Sequence, residues 1–169
     1  MVRKILCVFT CMMLFTQGAK ADVNLDDVKT IDAIIGAMYS SISGSKDQQR
    51  DWQRFLNLFD EDARLIFGSK ESASGFTSRT PEQYVEIAKV SFAANNFYES
   101  EISRKTHRFG NIAQVFTTYA GKRSPSDEMP FLRGINSVQL AFNGERWFIV
   151  TIFWQAENDM IKLPEKFLD

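Results

Sequence analysis

The chain has 169 residues, with 20 basic and 21 acidic side chains and 44% hydrophobic residues, enough for one domain with an ordinary core. Its first 21 residues hold three of the positive charges and both cysteines. The remainder carries 17 basic against 21 acidic residues and no thiol, which excludes disulfides and thiol catalysis and argues against nucleic acid or an anionic membrane as partner.

Those first residues read as a secretory leader. Arg3 and Lys4 form a short positive region, residues 5–15 are almost wholly apolar, and Ala19-Lys20-Ala21 is the small-x-small pattern that a signal peptidase reads. Cleavage is expected between Ala21 and Asp22. The apolar run is too short to span a bilayer, and no later stretch is long enough, so no membrane span is expected after cleavage. Cys7 and Cys11 follow Leu6 and Thr10, not the small residue that lipidation needs. The expectation is an exported protein, periplasmic or secreted, with a single domain over residues 22–169.

Within that domain, Ile31, Ile34, Ile35, Met38 and Ile42 recur at helical spacing, which predicts a first helix over residues 26–42. Trp52, Phe55, Leu56 and Phe59 predict a second over 48–59. A short strand at 63–67 is followed by a Gly/Ser-rich loop over 68–78. Thr80-Pro81-Glu82-Gln83 is a complete helix start, with a Thr cap, Pro in the first turn and Gln closing a capping box, so a third helix should run to about Asn95.

Beyond Asn96 the apolar period changes from 3.6 to 2. Four long strands are predicted, over 97–109, 112–123, 132–142 and 146–155, with hairpin turns at Gly110-Asn111 and Asn143-Gly144. The last strand is apolar on both faces and should lie inside the sheet, with helices on one side and a second subunit as one candidate for the other. Helices first and long strands afterwards mean an α+β domain. The predicted form is a cone-shaped, curved antiparallel sheet with three helices from the N-terminal half packed on its concave face.

Three segments carry a resemblance to known proteins. They are Asp51-Trp52-x-x-Phe55-x-x-Leu58-Phe59 running into Asp62-Ala63-Arg64-Leu65, then Phe109-Gly110-Asn111-Ile112-Ala113-x-Val115, and the closing Gly144-x-x-Trp147-x-Ile149. In these and in element order the chain resembles the nuclear transport factor 2-like superfamily, most closely its SnoaL-like, polyketide cyclase-like group. The resemblance implies a cone-shaped fold with a pocket at its wide end. It leaves function open, because that superfamily includes isomerases, dehydratases, cyclases, epoxide hydrolases and binding modules without catalysis.

His107 is the sole histidine and a natural general base beside a pocket. Strict alternation puts it on one strand face with Glu99 and Glu101, with Gln114 opposite and Glu101 about 20 Å away. Asn136 lies on an apolar strand near the position where resembling ketosteroid isomerases hold an oxyanion-stabilising acid. An amide there could donate to an oxyanion but could not act as an acid. Arg64, Arg104 and Arg133, set among apolar strand residues, would clamp a carboxylate or phosphate if they pointed inward, and otherwise pair with acids. Tyr39, Trp52, Tyr119 and Trp154 are candidate pocket wall.

One histidine and no cysteine beyond the leader predict no metal site, and residues 68–75 match neither a P-loop nor a dinucleotide-binding pattern, so no cofactor is expected. Three functions remain open. The chain binds a small, partly apolar ligand in the cone, or is an isomerase, cyclase or dehydratase with His107 as base, or is an interaction protein that forms a homodimer through the sheet face.

Overall fold

The computed structural model describes residues 24–69 and 72–168. The expected leader and its cleavage junction lie outside them.

Three helices come from the N-terminal half: α1 (Ile31–Ile42), α2 (Trp52–Leu56) and α3 (Pro81–Ala94). Each begins where a side chain takes up an otherwise unpaired amide. Thr30 caps α1 by accepting from Ala33 N–H, and Asp51 caps α2 by accepting from Arg54 N–H. At α3 the capping box is complete: Thr80 Oγ1 accepts from Gln83 N–H at 3.3 Å and Gln83 Oε1 accepts from Thr80 N–H at 3.0 Å. The predicted first helix is split, since residues 25–27 form a separate 3-10 turn capped by Asn24.

Six strands form one sheet: β1 (Phe59–Gly68), β2 (Phe76–Arg79), β3 (Tyr98–Phe109), β4 (Ile112–Lys122), β5 (Leu132–Phe142) and β6 (Trp147–Ala156). Their order is β2-β1-β6-β5-β4-β3, antiparallel throughout except for the parallel pair β1–β6. The doubly apolar β6 is therefore interior, as its composition requires. Two elements depart from the sequence reading. Phe59, assigned to the second helix, pairs with Ile149 and opens β1, so α2 is only five residues long. The second half of the expected loop is β2, an edge strand held by four pairs to β1.

The helices cover the concave face of the curved sheet. Ile34 and Ile35 of α1 and Phe55 of α2 meet Leu65, Val115, Val138 and Ile149 in one continuous core. Burying each such aliphatic side chain contributes about 1.5–3 kcal/mol.

Two bulges decide which strand residues join that core. The β3–β4 register shifts between Glu101 and Ser103, leaving Ile102 unpaired, and the β5–β6 register shifts between Gln139 and Leu140, leaving Val150 unpaired on β6. Each extra residue reverses the alternation beyond it. Behind the sheet, the C-terminal segment folds back over the convex face. Phe167 packs on Phe116 with ring centroids 5.1 Å apart, and Thr118 Oγ1 donates to Phe167 O at 2.6 Å.

Candidate functional site

A cavity of about 200 Å³ opens between the three helices and the concave face. Its walls are aromatic: Phe55 from α2, Tyr84 and Phe92 from α3, Phe97 at the head of β3, Tyr119 from β4 and Trp154 from β6. The rings brace one another. Phe92 and Phe97 stack at 4.7 Å, Tyr84 meets Trp154 edge-on at 6.2 Å, and Phe67 stacks behind Trp154 at 4.8 Å. Arg50 holds the α1 end of the wall, donating to Ile42 O at 2.6 Å and Gly44 O at 2.9 Å with its guanidinium 4.7 Å above the Phe92 ring.

Two polar side chains interrupt this lining, Glu99 and Asn136. Asn136 ends a buried hydrogen-bond chain whose direction can be assigned. Thr117 Oγ1 donates to Glu101 Oε1 at 2.5 Å, so the 2.9 Å contact with Tyr39 must be a donation from the phenol to Thr117. Tyr39 Oη then accepts from Asn136 Nδ2 at 3.1 Å. Glu101 is held in turn by Arg104 at 2.8 and 2.6 Å, and Arg104 also pairs with Asp32 of α1. This chain fixes the Asn136 amide so that its nitrogen is used. Its carbonyl oxygen has no hydrogen-bond partner among the described residues. Burial pushes the Tyr39 hydroxyl well above its ordinary range, so it remains a neutral phenol.

Glu99 is in a different state. Its backbone is anchored, with its N–H donating to Ser43 Oγ at 2.9 Å. Its carboxyl makes no hydrogen bond or ion pair with any described residue, and desolvation alone pushes it up to about 8. At neutral pH the cavity therefore holds a mostly protonated carboxylic acid among aromatic rings. Glu101, two residues on and directed to the same face, has the partners that Glu99 lacks.

The expected site residues divide. Asn136, Tyr119 and Trp154 line the cavity. Tyr39 lies behind Asn136, and Trp52 stacks behind Phe92 at 6.1 Å. None of the three arginines lines it. Arg64 is exposed and donates to Asp62 O and Ala63 O, Arg104 pairs with Glu101 and Asp32, and Arg133 pairs with Glu157. Arg104 and Arg133 thus take the acid-pairing alternative, Arg104 on the helix-facing side of the sheet, and Arg64 bonds its own backbone.

His107 lies opposite Gln114, as expected, but is exposed on the convex face. The bulge at Ile102 reverses the alternation after Glu101, so Glu99 and Glu101 face the helices while His107 faces away. The expected shared face of Glu99, Glu101 and His107 is thereby corrected. Glu99, named in the sequence reading only as a face-mate of His107 and not as a site residue, had one signal along the chain: two carboxylates two positions apart with a single arginine, Arg104, close behind them.

No protein-family model matches the chain, and no curated protein matches it in sequence. Solved structures do match its fold. A Nostoc punctiforme protein of unknown function with a cystatin-like fold aligns with TM-score 0.59 at 11% identity, covering 76% of this chain and 90% of that one. A nuclear transport factor 2-like protein of unknown function from Pseudomonas putida aligns with TM-score 0.58 at 13% identity, over 79% and 90%. A candidate scytalone dehydratase from Novosphingobium aromaticivorans aligns with TM-score 0.59 at 10% identity, over 77% and 83%. The chain therefore has the nuclear transport factor 2-like fold, and identities this low carry the fold alone.

Proposed function

We propose that the protein is exported, loses its leader near Ala21-Asp22, and binds a small, partly apolar organic ligand in the cavity between the helices and the concave sheet face. The observation that carries this reading is the pairing of an apolar, aromatic-rich wall with a carboxyl group that has no partner among the described residues. Packing alone does not call for such a group, because a partly desolvated acid without a partner costs stability unless something else uses it. A thermal-shift screen of small organic molecules tests the reading. Binders should raise the melting temperature in proportion to the logarithm of their concentration, and Leu132→Trp, which fills the cavity from β5, should abolish the shift while leaving the circular dichroism spectrum native. A screen in which no small molecule stabilises the protein while a protein partner does would overturn it.

One observation favours a second reading, an enzyme of the isomerase, cyclase or dehydratase kind. A carboxyl titrating near neutrality stands in the same cavity as the Asn136 amide, a pairing suited to proton transfer beside a polarised oxygen. Glu99, not the outward His107, is then the base. Its activity should rise with pH toward about 8 and fall at least about a hundredfold in Glu99→Gln.

A homodimer through the convex face is supported by the exposed apolar side chains there, Phe76, Phe109, Ile112 and Phe153. Sedimentation of the leaderless chain reads it directly.

A further inference from the structure

We propose that the ligand of this cavity carries a positively charged nitrogen, recognised jointly by the Glu99 carboxyl and the aromatic rings around it. The inference rests on the reading that the cavity binds a small ligand and names that ligand's chemical class.

Four observations carry it. The cavity lining includes one acid and no lysine, arginine or histidine. Of the cavity's polar groups without a partner among the described residues, the Asn136 carbonyl oxygen only accepts, and the Glu99 carboxyl and the Tyr84 and Tyr119 hydroxyls each offer an acceptor oxygen, which suits N–H donors or a cation. The rings of Tyr84, Tyr119 and Trp154 in the lining are not sandwiched as Phe92 is, and supply electron-rich surface that attracts an ammonium. Finally, the cations that could neutralise Glu99 are committed elsewhere: Arg50 to two backbone carbonyls, Arg104 to Glu101 and Asp32, and Arg133 to Glu157. A carboxylate ligand would find no cation in the lining to neutralise it. An amine supplies the missing counter-charge.

The same geometry makes binding a protonation event. The titratable groups facing Glu99 are Tyr39 from α1, Tyr84 from α3 and Tyr119 from β4, each kept neutral by burial. Arg50, on the segment before α2, acts on Tyr84, and Glu101 on the same strand is already paired. Glu99 is thus mostly protonated when the cavity is empty. An ammonium beside it favours the carboxylate, and the displaced proton leaves to solvent.

Isothermal titration tests this at pH 7 in two buffers of different ionisation enthalpy. The probes are 2-phenylethylamine, its N-trimethyl derivative and the neutral 2-phenylethanol. The amines should bind about tenfold or more tighter than the alcohol, with close to one proton released per ligand. Glu99→Gln, which keeps the shape of the side chain, should lose both the preference and the proton release while still binding the alcohol. The release measurement on the unsubstituted protein stands even if that variant folds poorly. If the alcohol binds as tightly as the amines, or the amines bind without releasing a proton, the cation proposal fails and the ligand-binding reading survives. If neither the probes nor any apolar molecule binds, both fail.

Discussion

The two faces of one sheet are built from alternate residues of the same strands, yet they do different work. On the concave face β4 presents Ala113, Val115, Thr117 and Tyr119, all buried against helices. On the convex face the same strand presents Ile112, Gln114 and Phe116, partly covered by the chain's own C-terminal segment and otherwise open. The concave face is closed tightly enough that a single acid without a partner becomes the most perturbed carboxyl of the site. The convex face holds the lone histidine, exposed to water. The state of Glu99 follows from the low dielectric of the face on which it lies.

Substitutions on the two faces measure this contrast directly. Phe55, 2% exposed at the junction of core and cavity, should cost about 4 kcal/mol as Phe55→Ala in denaturant unfolding. Gly134→Ala should follow at about 3 kcal/mol. An added Cβ would lie 2.4 Å from both Gln155 O and the Tyr119 hydroxyl, so neighbouring strand backbone or a cavity wall must move.

The pH dependence comes next. Because the folded Glu99 carboxyl is raised from 4.5 to about 8, the folded state holds a proton that the unfolded chain has lost across that window. The stabilising contribution is present below the unfolded value and is lost as pH rises toward 8, at up to about 1.4 kcal/mol per pH unit. Glu99→Gln should remove that slope in melting curves between pH 5 and 8. Tyr39→Phe, which strips Thr117 and Asn136 of their shared partner, should cost about 1–2 kcal/mol. Smallest of all, Phe109→Ala on the convex face should change monomer stability by less than about 0.5 kcal/mol, since that ring is 85% exposed. A large loss there would show that the convex face is buried in the native protein, and sedimentation would then identify a second copy.

Much of the architecture was legible along the chain. The Thr80-Pro81-Gln83 start of α3, the 110–111 turn with Gly110 at a φ of 54°, and the four long strands of the second half all rest on interactions within a few residues. The errors lie where a distant partner outweighed local preference. Phe59 continues a helical apolar stripe, but hydrogen bonding beside β6 draws it into β1. Residues 76–79 look like loop until β1 offers an edge to pair with. For the site, Tyr119 and Trp154 were read as pocket wall and Asn136 was singled out from the ketosteroid-isomerase resemblance, and all three line the cavity. Glu99 was passed over because whether an acid is starved of partners depends on elements far from it in sequence.

The sequence by itself therefore determined the helix caps, the hairpin positions, the alternating strands and the stock of aromatic residues, all properties of short-range sterics and hydrogen bonding. Tertiary structure alone decided the placement of the bulges, the parallel β1–β6 pairing and the state of Glu99. A bulge at Ile102 turns His107 outward while Glu101 keeps its place, and it forms because the strand must bend to stay against the helices and its neighbour. The helices α1 and α3 then partly desolvate Glu99 while the arginines pair elsewhere. Desolvation is a sum over every neighbour in space, and no spacing along the chain encodes it.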